Sequence, residues 1–162
     1  MALSHDLQYI QMYSTIQAMA DRIDRAILRS MIYSCAELED YTQQFGARFN
    51  DDTGATRASI IAFVEGHDTT GKQERSVMIA ESLRPGSGLK TIEAIEGDIA
   101  ETGYTMVLTA GTEYTLWLET AFGGQYAFLQ PSLHAYALTI SYRTYRAIER
   151  VLARAGLDPL DD

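Results

Sequence analysis

From Ser4 to Phe45 the chain contains neither Gly nor Pro, so nothing in it stops a helix. Leu3, Leu7, Ile10, Ile16, Ile23 and Ile27 fall largely at three- and four-residue steps, the period of a helix that buries one face. Ser4 is a candidate N-cap, and Gly46 the candidate residue just past the C-terminus. Unbroken, such a helix reaches ~60 Å, longer than a compact fold of 162 residues can cover. Either it breaks near "RSMIYSC" or part of its apolar stripe is buried by another subunit.

After Gly46 the pattern shifts. "ASIIAFVEG" (58–66) and "RSVMIAESL" (75–83) are rich in apolar and β-branched residues around a polar loop, which predicts an antiparallel hairpin. "LKTIEAIEGDIAE" fits a helix through Leu89, Ile92, Ile95 and Ile99, but Gly97 interrupts it and leaves the segment ambiguous. "YTMVLTA" (104–110) reads as a strand, and Pro131 opens a last helix that ends at Gly156. The expected class is α+β: a long N-terminal helix, a small antiparallel β-sheet and a C-terminal helix packed on it. We expect one domain, 1–162, divided into a helical segment (1–46), a β-rich core (47–130), a C-terminal helix (131–156) and a frayed tail (157–162).

Charge narrows the partners. The net charge of −9 argues against a sequence-independent grip on DNA phosphates, which needs a basic face. The charge is uneven: residues 51–130 hold 12 acidic and 5 basic side chains, a balance of −7. Residues 131–155 hold Glu149 against Arg143, Arg146, Arg150 and Arg154, a balance of +3. Opposite poles suit head-to-tail packing of identical copies. No run of ~18 apolar residues spans a bilayer, and "MALSHDLQYIQMY" has neither the basic nor the apolar region of a secretory signal. The single Cys35 forms no internal disulfide and reads as a buried, inert thiol in a reducing cytoplasm.

Three stretches imitate chemistry. Asp52-Thr53-Gly54-Ala55 is spelled like the catalytic strand of retroviral-type aspartic proteases. Those enzymes pair two such carboxylates in an apolar setting, whereas Arg48, Phe49, Asn50 and Asp51 precede this single copy. Asp52 and Thr53 are instead expected to supply a turn and cap, and Gly54 the backbone freedom. "GHDTTGK" (66–72) mimics a phosphate loop, but Gln73 stands where a Ser or Thr would hold magnesium. With a returning strand expected next, it reads as a polar hairpin tip. His5, His67 and His134 are scattered, without metal-ligand spacing. No catalytic, metal-ligating or cofactor-binding residue is assigned.

The most distinctive stretch is "GTEYTLWLETAFGGQYAFLQPSLHAYA" (111–137). It combines the only Trp, a buried-looking Glu119, a Gly pair and an aromatic-Leu-x-Pro step into a helix. Gly123 and Gly124 permit a sharp turn. Phe122, Tyr126 and Phe128 bring large apolar area to it, and Pro131 fixes φ in the first helical turn. Such an aromatic elbow serves as core or as subunit interface. Together with "DTGATRASI", the stretch resembles the minor tail-component family of long-tailed bacteriophages, the neck or tail-completion proteins. Asp52, Thr53, Gly54, Arg57, Ser59 and Ile60 match its first motif. Tyr114, Trp117, Glu119, Phe128, Leu129, Pro131 and Leu133 match its second. Thr120, Ala121 and Phe122 separate Glu119 from the Gly pair, and Ala127 and Ser132 replace the family's Pro and Ala.

The resemblance implies a structural virion protein, not an enzyme, in the phage tail or neck and in the host cytoplasm during assembly. It implies a homo-oligomeric ring of six copies, with twelve as the alternative, joining the tail tube or tail terminator to the head-completion or connector protein. No cofactor and no membrane are involved. DNA is then expected to pass through the channel without specific binding, and the chain's acidic balance suits a wall that does not hold phosphates. Competing readings are a tube-like virion subunit and a small soluble ligand-binding domain or enzyme that uses the elbow as a pocket.

Overall fold

A computed structural model describes residues 2–47, 49–51, 53–67, 72–86, 94–98 and 103–157; for 2–7, 73 and 94–98 the backbone alone is described. The class is α+β, as the sequence predicts. Helix α1 runs unbroken from Ala2 to Tyr41 and closes in a wider π-helical turn, Thr42–Gly46. There is no break at "RSMIYSC", because Met31, Ser34, Cys35 and Leu38 there form the buried face of one continuous helix. Ser4 therefore lies inside α1 and is not its cap. Gly46 does not take the left-handed φ of a C-terminal glycine. It is small for another reason: a Cβ there would sit 2.1 Å from Ser132 Oγ.

The hairpin expected from 58–66 and 75–83 is absent. Strand β1, Ile61–Val64, is followed by helix α3, Lys72–Leu83. Ser76 and Ala80, four residues apart, are buried on one helical face, and their small size lets α3 lie close to the chain at Gly111. A Cβ on Gly111 would come within 2.2 Å of Ser76 O, so the contact is backbone to backbone. "GHDTTGK" thus joins a strand to a helix and is not a hairpin tip; residues 68–71 lie outside the described residues.

The ambiguous segment 89–101 contributes strand β2, Ala94–Asp98, and β3 spans Thr105–Thr109. The sheet order is β1-β3-β2, antiparallel throughout, with Ile61 opposite Thr109 and Ala94 opposite the same residue from the other side. Residues 47–130 also hold α2 (Ala55–Ala58), α3 and α4 (Tyr114–Thr120), so this stretch is a mixed layer and not mainly β. Helix α5 begins two residues before Pro131, at Leu129, and ends at Arg154, with Gly156 left-handed at φ +73°. Residues 158–162 of the expected tail lie outside the described residues.

Both faces of the sheet are covered, which explains why β1 reads as a continuous apolar run. On one face Ala62, Val64, Met106 and Leu108 pack with Met31 and Leu38 of α1, with Leu129, Leu133 and Ile140 of α5 and with Phe128 just before it. On the other, Ile61, Phe63 and Val107 meet Ile79 of α3. Fully burying side chains of this size contributes roughly 1.5–3 kcal/mol each. The open edge of β1 is closed by α1: Ala62 N donates to Glu39 Oε1 at 3.1 Å, and Gln43 Nε2 donates to Ile60 O at 3.2 Å. Burial raises the Glu39 carboxyl above its ordinary range despite that bond.

Candidate functional site

The first motif builds a tight corner before β1. Gly54, at φ +70°, precedes the short α2, and its N–H donates to Asp51 O at 3.0 Å. Asp51 Oδ2 accepts the Arg57 N–H at 2.7 Å, and Thr53 Oγ1 accepts that of Ala55 at 3.3 Å. The expected capping therefore falls to Asp51 and Thr53; Asp52 lies outside the described residues. Arg57 reaches back with Nη2 to donate to Ala47 O at 2.8 Å, tying the corner to the end of α1.

A buried seam of hydroxyls links this corner to the second motif. Thr56, Thr112 and Thr115 are joined through their Oγ1 atoms at 3.1 and 3.0 Å. Gly111 N donates to Ser59 Oγ at 3.0 Å, Ser59 Oγ donates to Thr56 O, and Ser76 Oγ donates to Ser59 O. All these side chains are buried and satisfied, with no base beside them among the described residues, so the seam is a latch between α2, α3 and α4. The two motifs, sixty residues apart in sequence, meet: Thr56, Thr112, Glu113, Tyr114 and Trp117 line an open hollow of about 510 Å³ with Arg84 to Gly86.

The elbow divides into a buried hinge and an exposed rim. Glu119 Oε1 accepts the N–H groups of Phe128 and Leu129, each at 2.8 Å, and Oε2 accepts that of Gln130 at 3.4 Å. These amide hydrogens have no partner within the first turn of α5, so a carboxylate there both saturates them and meets the positive end of the helix. Between Glu119 and α5 the chain reverses through Phe122, Gly123 and Gly124, at φ +51°, +67° and +80°. Phe128 is fully buried and meets the Phe49 ring at a tilt, with centroids 4.9 Å apart. Pro131, exposed, sits in the first turn of α5, where its missing N–H costs no helical bond.

The rim faces solvent. Tyr114 stacks on Trp117 at 4.8 Å, Trp117 meets Phe122 edge-on at 5.6 Å, and Phe122 meets Tyr126 at 5.9 Å. Phe122 is 71% exposed and Trp117 43%. Of the two roles left open for the elbow, the structure gives Phe128 to the core and the other four rings to the surface.

Two further surfaces lie on the helices. Helix α1 extends past the end of α5, and Tyr9, Ile10, Met12, Tyr13 and Ile16 on that overhang are all exposed. Where α1 and α5 run side by side, an open cleft of about 980 Å³ is walled by Arg22, Arg25 and Arg29 from α1 and by Arg143, Arg146, Arg150 and Arg154 from α5. The α1 row was not singled out from the sequence, although its spacing of three and four residues was visible there. Arg143 pairs with Glu37 at 2.5 Å and lies over the Tyr33 ring at 5.5 Å; Arg146 pairs with Glu149 at 2.6 Å. Tyr136 donates to the same Glu37. The Arg143 hydrogen bond, then the Tyr136 hydroxyl, hold the Glu37 carboxyl below its usual range. Burial, then the Glu37 contact, push the Tyr136 hydroxyl up to about 12.

Cys35 is buried, and His67 and His134 are exposed; the His5 side chain lies outside the described residues. Among the described residues no three His, Cys, Asp or Glu side chains gather as a metal site, and no helix is long and apolar enough to cross a membrane. Compared with protein-family models, curated proteins and solved structures, the chain matches none.

Proposed function

We propose that this chain is an assembly subunit that closes into a homo-oligomeric ring, and that the ring sits at the head–tail junction of a long-tailed phage. The observation that carries the assembly reading is the overhang of α1. Tyr9, Tyr13 and Ile16 continue the stripe that Met31, Ser34 and Leu38 bury farther along, yet they are exposed and nothing among the described residues covers them. Together with the exposed rim of the elbow, they form apolar area of the kind that marks a partner surface. A second copy supplies that partner, and head-to-tail contacts of this kind close into rings when the rotation permits.

The placement at the head–tail junction rests on the motifs of 52–60 and 114–133 and their order after a long N-terminal helix. In that reading six copies, or twelve, join the tail tube to the head connector and leave a channel for DNA. The role is assembly, and no residue is assigned to catalysis. The four rim rings lie side by side on the surface instead of lining a closed cavity, which favours docking over a small-molecule pocket. Negative-stain electron microscopy of the purified chain tests the reading. Closed rings of one size are expected. Open tubes would point to a tube subunit, and a dispersed monomer to a soluble binding domain.

A further inference from the structure

We infer that the cleft between α1 and α5 binds the phosphodiester backbone of a nucleic acid, without regard to base sequence. The inference stands on the cleft alone and does not require the ring. Seven of the chain's 13 basic side chains line this one cleft. Among the described residues only Glu37 and Glu149 pair with any of them. Arg22, Arg25, Arg29, Arg150 and Arg154 form no ion pair among the described residues; Arg25 donates only to Asp21 O, in its own helix, at 3.0 Å. Five uncompensated guanidinium groups repel one another, so the occupant must bring several closely spaced negative charges.

Geometry and composition choose among polyanions. Arg146, Arg150 and Arg154 step by four residues, about 6 Å along the axis, and the α5 row spans about 16 Å. Duplex DNA presents about nine phosphates over that length. A second copy of this chain does not match that density, because its acidic residues never run more than two in succession. Nor does the cleft face itself across a two-fold axis, where arginines would oppose arginines. Every basic side chain in it is arginine, whose planar fork suits phosphate oxygens. The exposed rings of Tyr33 and Tyr142 line the same walls and offer faces to sugars or unstacked bases. The other 6 basic residues are outnumbered by the acids other than Glu37 and Glu149, which keeps a polyanion off the rest of the surface. The negative net charge thus confines binding to the cleft; it does not abolish it.

Fluorescence anisotropy of a labelled duplex of about 20 bp, titrated with the full chain, tests the inference. Binding is expected in about 50 mM salt, equal for unrelated sequences, and about 500-fold weaker in about 200 mM salt if five contacts release counterions. A single-stranded probe of the same length shows which form the cleft prefers. The variant R22Q/R150Q/R154Q keeps both ion pairs and so the helix packing, which circular dichroism checks. It should lower affinity at least tenfold and reduce the salt slope by about 3. Arg75→Gln, on α3, should change affinity less than twofold. No binding at low salt, full binding by the triple variant, or tighter binding of a poly-glutamate peptide than of either nucleic acid would overturn it.

Discussion

Along α1, Met31, Ser34 and Leu38 are wholly covered, whereas Tyr9, Tyr13 and Ile16 are each more than half exposed. All six lie on one stripe, linked through Ile23 and Ile27 at steps of three, four and seven residues. The sequence pattern is thus the same in both halves, and the difference lies in what the rest of the chain can reach. The sheet and α5 lie beneath residues 27–42; α5 ends before the overhang begins. Amphipathic periodicity states that a face will be buried, but not by which molecule.

Substitutions along the stripe should tell the two halves apart, with the larger response in the covered half. Leu38→Ala is expected to lower stability by about 2–5 kcal/mol in chemical denaturation. Ile16→Ala, measured where the chain is monomeric, should cost no more than about 0.5 kcal/mol. Equal losses would mean that the overhang folds back on the chain, and the comparison would fail.

The elbow repeats the contrast within a dozen residues. Glu119→Ala leaves three N–H groups of α5 without their carboxylate and is expected to cost about 1.5–3 kcal/mol in thermal unfolding. Phe122→Ser removes only a surface ring, so stability should stay within about 0.5 kcal/mol while self-association weakens.

A smaller effect marks the seam where the covered half of α1 meets α5. The fold favours the neutral form of Tyr136, so its contribution is intact below the ordinary tyrosine value of 10.0 and is lost as pH rises towards about 12. Glu37, held below its usual 4.5, contributes above that value and loses its contribution as pH falls through the lowered folded value. Tyr136→Phe should flatten the alkaline limb of a stability–pH profile and weaken the acid limb without abolishing it, because Arg143 still holds the Glu37 carboxyl down. An unchanged alkaline limb would contradict the seam.

What could be read from the sequence follows the reach of each interaction. Helix α1 was legible because forty residues of local pattern agree. "RSVMIAESL" was not, because a short apolar run suits strand or helix equally. Its state is settled by Ser76 and Ala80 packing near Gly111, some thirty residues away. Strand β2 likewise follows from pairing with β3 and not from its own spacing. Glu119 stood out as a buried-looking acid, but its partners lie nine to eleven residues later across two left-handed glycines. The cleft was least visible of all. Its two arginine rows are more than a hundred residues apart, and a net charge of −9 hides them.

Sedimentation velocity of the purified chain over a wide concentration range, with Tyr13→Asp/Ile16→Asp alongside, decides whether the overhang is a subunit contact. A single closed oligomer is expected for the unaltered chain and a folded monomer for the double variant. A wild-type monomer at every concentration, or a double variant that assembles as the wild type does, would contradict it.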